Sequence, residues 1–129
     1  PYPGAVISVT GAADDTADQL GSGERMTFFH GLREASRVTQ AWIVTGGTES
    51  GVMKLVGQMV REDEESGAKP VCLGVAPWRP IRLRNEMEAT PLLDYDTPQT
   101  NSSAASAEQA DLDPNHSHFL LVEDSVSRG

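Results

Sequence analysis

The 129 residues of this chain suffice for one domain with its own core and not for two ordinary ones. Apolar residues at 38% and aromatics at 5% are lean for a globular domain, so part of the chain is expected to lie outside the core. The net charge of −9 is almost all carboxyl-terminal: nine Lys and Arg face ten Asp and Glu up to Arg84, and only Arg128 faces nine acids beyond it, which argues against nucleic acid and anionic membranes as partners.

Taken in chain order, residues 5–9 form the first apolar run, rich in β-branched side chains, and read as a strand. Residues 24–38 place Phe28, Leu32 and Ala35 on one helical stripe, weakened at Gly31 by about 1 kcal/mol relative to alanine. A second strand is expected over 41–45. A second helix follows over 52–65, where Val52, Leu55, Val56, Met59 and Val60 recur at helical spacing and Gly67 supplies the stop. Residues 71–75 and 119–122 read as the third and fourth strands. All four strands are continuous rather than alternating in polarity, the pattern of a parallel sheet covered on both faces. The alternation implies an α/β fold: a three-layer, Rossmann-like parallel sheet flanked by helices. The stretch 86–115 differs in kind, small and polar and then acidic, and is expected to be a disordered surface insertion, most of all over 97–107.

The lone cysteine, Cys72, sits in an apolar run and reads as a small buried hydrophobe, consistent with a reducing compartment. No apolar stretch approaches the roughly 20 residues needed to span a bilayer, and no secretory signal pattern is present. The chain begins with Pro1 rather than Met and is expected to be part of a longer polypeptide.

In an open parallel sheet, ligands collect where strands end and helices begin. Thr45, Gly46, Gly47, Thr48, Glu49, Ser50 and Gly51 occupy such a junction. Glycines there permit positive φ and close approach of an anion, which the following helix dipole favours. The pattern is neither the G-x-G-x-x-G fingerprint nor a lysine-bearing P-loop, so a turn that binds nothing is an equally open reading. Thr10 and Gly11 form a second strand-end loop. Trp78, with Arg79, Arg82 and Arg84 after it, offers an aromatic plane and cations for a nucleotide, or else packs against the domain while the arginines balance nearby acids. Glu123 and Asp124 end the fourth strand, where they suit ribose hydroxyls or a solvated turn. His116 and His118, two apart, invite a metal reading, but no third ligand at suitable spacing supports one. No Ser-His-Asp ordering or acid/base partner for Glu49 is apparent, so neither catalysis nor a metal is expected.

Four segments carry a resemblance: Ile7-Ser8-Val9-Thr10-Gly11, the run from Ala41 through Gly46-Gly47-Thr48-Glu49-Ser50-Gly51 to Lys54, Gly74-Val75-Ala76-Pro77-Trp78, and Asn115-His116-Ser117-His118 through Asp124. In order and spacing they resemble the N-terminal cytosolic region of melastatin-type transient receptor potential (TRPM) channels, over about residues 5–124. The resemblance implies a Rossmann-like domain related to bacterial LOG proteins, which in some channels binds ADP-ribose to promote opening of a calcium-permeable pore. It implies that this chain is the first part of a larger sensing domain at the cytosolic face of an integral membrane protein, partnered by other channel domains in a homotetramer. The first LOG glycine motif is matched at Gly46 to Met53. The second, which carries the catalytic Glu, has no counterpart here, so the resemblance implies no enzyme. Two further readings remain: a LOG-like nucleotide N-glycosidase fragment, and a ligand-free subunit-assembly domain.

Overall fold

The computed structural model describes residues 2–92 and 109–123. Four strands, β1 (Ala5–Ser8), β2 (Ala41–Thr45), β3 (Cys72–Pro77) and β4 (His118–Val122), form one sheet in the order β1-β2-β3-β4, every pair parallel. Helix α1 (Ser22–Thr39) joins β1 to β2, and α2 (Gly51–Glu65) joins β2 to β3. A short 3-10 turn (Asp15–Gln19) and a one-and-a-half-turn helix α3 (Arg84–Ala89) complete the described elements. The arrangement is the α/β, Rossmann-like parallel sheet with flanking helices that the apolar runs implied.

Among the described residues the helices cover one face only. When strands follow each other in spatial order and each crossover is right-handed, every crossover helix falls on the same side of the sheet. Phe29 and Leu32 of α1, and Leu55, Val56, Met59 and Val60 of α2, accordingly close over Ile43 and Cys72 in a single core. Each such side chain contributes about 1.5–3 kcal/mol through burial. A second small cluster, Ala76, Ile81 and Leu112 with Met87 and Phe119 against it, extends the core over β3 and β4 on that face. On the other face Val6, Leu120 and Val122 are 61%, 55% and 47% exposed. The continuous runs had implied cover on both sides. Among the described residues there are two layers, because sequential strand order gives no reason for a helix to cross over.

The insertion expected over 86–115 is built into the domain at both described ends. Residues 86–89 complete α3, Ala110 bridges Ile81 in parallel, and Leu112 and Asp113 are buried. The central part, 93–108, which holds the whole of the 97–107 stretch, lies outside the described residues.

Candidate functional site

The glycine loop leaves the end of β2 and turns into α2 at the carboxyl edge of the sheet, as its sequence implied. Gly47 and Gly51 hold positive φ, 72° and 50°. At both positions the cause is close packing by protein: a Cβ on Gly47 would lie 2.7 Å from Gly74 Cα, and one on Gly51 would collide with the Ala12 carbonyl. The turn after β1 therefore seats directly on the first residues of α2. Val52 N–H donates to Ala12 C=O at 3.1 Å, and Gly11 sits against the Val52 side chain. Two of the loops singled out in the sequence, Thr10-Gly11 and Thr45 to Gly51, thus meet at the amino end of one helix.

A strap running from Ala110 to Asp113 binds the loop from the other side. Glu49 N–H donates to Asp111 C=O at 2.8 Å, Asp113 N–H donates to Gly47 C=O at 2.9 Å, and Thr48 bridges Leu112. The strap also fastens the segment after β3: Ala110 N–H donates to Pro80 C=O, Arg82 N–H donates to Ala110 C=O, and the Arg82 guanidinium pairs with Asp111. Arg82 is therefore committed to the strap, and Arg84 to the Arg79 carbonyl. Arg79 is exposed, and half-buried Trp78 is tied through its N–H to Val122 C=O at the end of β4. Trp78 and Arg79 share the carboxyl edge with the glycine loop but stand at the β3–β4 side of it.

Within this junction lies a buried polar chain that reading by pattern missed. Thr45 Oγ1 lies 2.7 Å from His116 Nε2, and His116 Nδ1 lies 3.0 Å from Asp113 Oδ1. Gly47 N–H donates to Thr45 Oγ1 at 2.9 Å, and Asn115 N–H donates to Asp113 Oδ1. Thr45, Asp113 and His116 are 4%, 1% and 6% exposed, and His116 stacks on Phe119. The spacing of two that invited a metal reading of His116 and His118 does not put their side chains on one face. His116 precedes β4 and points inward, whereas His118 lies exposed in β4 beside the Ser117 hydroxyl. Among the described residues no group of three metal-ligating side chains assembles. Asp113, expected in an acidic surface stretch, is the buried partner; the single Leu112 between acids, leading into Asp-Pro-Asn-His, was the available signal.

Desolvation is the main influence holding the Glu49 carboxyl above its ordinary value, with the negative Asp113 adding to it. Burial pushes the Cys72 thiol up to about 12, again with a contribution from Asp113. The native chain thus keeps this proton where the unfolded chain releases it near 9.0, so this contribution to stability is complete below pH 9.0 and is lost as pH rises towards 12. Iodoacetamide at pH 8 is expected to label native Cys72 at about one-hundredth of its rate in urea. Comparable rates would show that the thiol is accessible.

A cleft of about 710 Å³ lies at the opposite edge of the sheet among Arg33, Arg37, Gln40, Trp42, Asp63 and Lys69. Two helix carboxyl ends face it, which disfavours an anion there, and Arg33 and Arg37 are already paired, with Asp63 and Glu34. No helix among the described residues is long and apolar enough to cross a membrane.

Comparison with known proteins adds a family match and three relatives. A family model described as SLOG in TRPM matches residues 1–128. The chain is 38% identical over 127 residues to a transient receptor potential cation channel subfamily M member-like 2 of Nematostella vectensis, and 35% identical over 128 residues to the subfamily M member 2 channel of Mus musculus. Each match covers 96% of this chain and 8% of the channel. The subfamily M member 7 channel of Homo sapiens is 36% identical over 98 residues, which is 74% of this chain and 5% of that protein. The chain spans less than a tenth of the length of these relatives.

Proposed function

The chain belongs to the family of SLOG domains in TRPM channels, and from that premise we propose that it is a cytosolic ligand-sensing module of such a channel, taking an adenine nucleotide such as ADP-ribose to regulate a calcium-permeable pore. The observation that carries the reading is the meeting of Thr10-Gly11 with Thr45 to Gly51 at the amino end of α2, on the carboxyl edge of a parallel sheet. A helix amino end at such an edge favours a phosphate. Trp78 and Arg79 flank it, suited to an adenine ring and a second phosphate. Sensing needs only differential affinity between closed and open channel states, with no bond broken. Other channel domains and three further copies of the parent chain are its proposed partners.

The loop donors at Gly47, Glu49, Ser50 and Val52 already serve protein carbonyls or the Thr45 hydroxyl, and the chain carries a net charge of −9. Affinity for a dianion is therefore expected to be modest. ADP-ribose at millimolar concentration should raise the midpoint of thermal unfolding by roughly 2–4 °C, and adenosine should not. Equal shifts, or none, would refute a phosphate site in this chain.

A second reading, an assembly domain without ligand, draws on the uncovered sheet face bearing Val6, Leu120 and Val122. It predicts no shift with ADP-ribose. Replacing Leu120 by Lys would then disturb association of the parent while leaving the core of the domain folded.

A further inference from the structure

We propose that Thr45, His116 and Asp113 are positioning residues, a one-directional hydrogen-bond relay that holds Gly47 in its left-handed conformation and so fixes the shape of the glycine loop before any ligand arrives. The direction follows from what each group can do. An ionised carboxylate only accepts, so Asp113 Oδ1 takes its hydrogen from His116 Nδ1. The Nε2 lone pair then faces Thr45 Oγ1, whose hydroxyl donates to it. The hydroxyl oxygen keeps its two lone pairs for accepting, and Gly47 N–H takes one of them. Each donor has one acceptor under this assignment. With the opposite tautomer, Nδ1 and Asp113 would face each other as two acceptors, and the Thr45 hydroxyl hydrogen would lose its partner.

The relay closes on itself. Its far end, Asp113, donates its own N–H to Gly47 C=O at 2.9 Å, so both peptide groups of one glycine are held by the two ends of the same chain. All three side chains are removed from water, which strengthens such bonds and makes any missing partner costly. Burial also separates this set from a nucleophilic triad. The Thr45 hydroxyl is buried and has no path to a substrate.

The effect on ligand rests on the nucleotide reading above; the effect on the loop does not. The chain labelled with nitrogen-15 provides a direct test, since long-range proton–nitrogen correlation distinguishes the imidazole tautomers. His116 is expected to carry its proton on Nδ1 at neutral pH; a proton on Nε2, or on both nitrogens, would overturn the relay. Thr45→Val removes the hydroxyl, whereas Thr45→Ser keeps it. Hydrogen exchange at the Gly47 amide should accelerate about ten-fold in the valine variant and return to near the native rate in the serine variant, with Ile43 as a core control. Unchanged Gly47 protection in a folded valine variant would also overturn the proposal. If the valine variant does not fold, the tautomer of the native protein decides. Titration of the same proteins with ADP-ribose should show about ten-fold weaker binding for valine than for serine. Equal affinity for the two would remove the relay from the loop's function. Failure of the native chain itself to bind would count against the nucleotide reading alone, since the tautomer and exchange results stand without it.

Discussion

Gly47→Val is expected to cost the fold about 4 kcal/mol or more, a large share of the total stability of a domain, which is of order 5–15 kcal/mol. Three costs coincide at this residue. Its φ of 72° is disfavoured for any side chain and most of all for a β-branched one. A Cβ would approach Gly74 Cα to 2.7 Å and the Phe119 ring to 3.4 Å, and the Gly74 contact is backbone of β3 that cannot rotate away. Any shift of Gly47 also strains the bonds from its N–H to Thr45 and from Asp113 to its carbonyl. The sequence pattern alone reads this glycine as room for an anion, which would make the substitution a binding defect first. The structure gives loop-to-strand packing as the stronger demand. Urea denaturation followed by circular dichroism would measure it, and a loss below about 1 kcal/mol would mean that the loop relaxes away from β3 freely.

How much was legible follows from which forces act locally. β2, β3 and β4 and both long helices lie within two residues of where the apolar runs and the helical spacing of Val52, Leu55, Val56, Met59 and Val60 put them, because those patterns are consequences of burial along a single element. The glycine loop and the Thr10-Gly11 turn were legible as neighbours at one sheet edge, since parallel crossovers bring strand ends together. The strap was not. Leu112 is a single apolar residue between Asp111 and Asp113, and it is buried through pairing with Thr48, a residue 64 positions earlier that no periodicity relates to it. His116 and Asp113 likewise become a buried pair only once Thr45 supplies the third member from β2. The uncovered sheet face escaped notice for the converse reason: Val6, Leu120 and Val122 are apolar by sequence, but whether anything packs on them depends on the order of the strands.

Gly57→Ala tests the same buried cluster from the helix side and is expected to destabilise the chain by roughly 2–4 kcal/mol, although alanine is the better helix former. At an open helical position the exchange helps: nothing lies within 4 Å of a Cβ placed on Gly31, so Gly31→Ala should stabilise by about 1 kcal/mol. Gly57 is the opposite case. It is buried in the middle of α2, and a Cβ there would overlap Asp113 Oδ1 and lie 2.7 Å from both Cγ and Oδ2. The carboxylate has nowhere to retreat, because Oδ1 is held by His116 and by the Asn115 N–H while its backbone holds Gly47. Either α2 lifts off the core it forms with Ile43 and Cys72, or Asp113 gives up its bonds and leaves His116 unpaired. A double-mutant cycle with Asp113→Ala separates these costs. The single Asp113→Ala change is itself destabilising through His116, but with the carboxylate gone the added methyl finds space. The pair should therefore be less unstable than the sum of its members by about 1–2 kcal/mol. Additive losses would show that the helix does not use the missing side chain of Gly57 to accommodate Asp113.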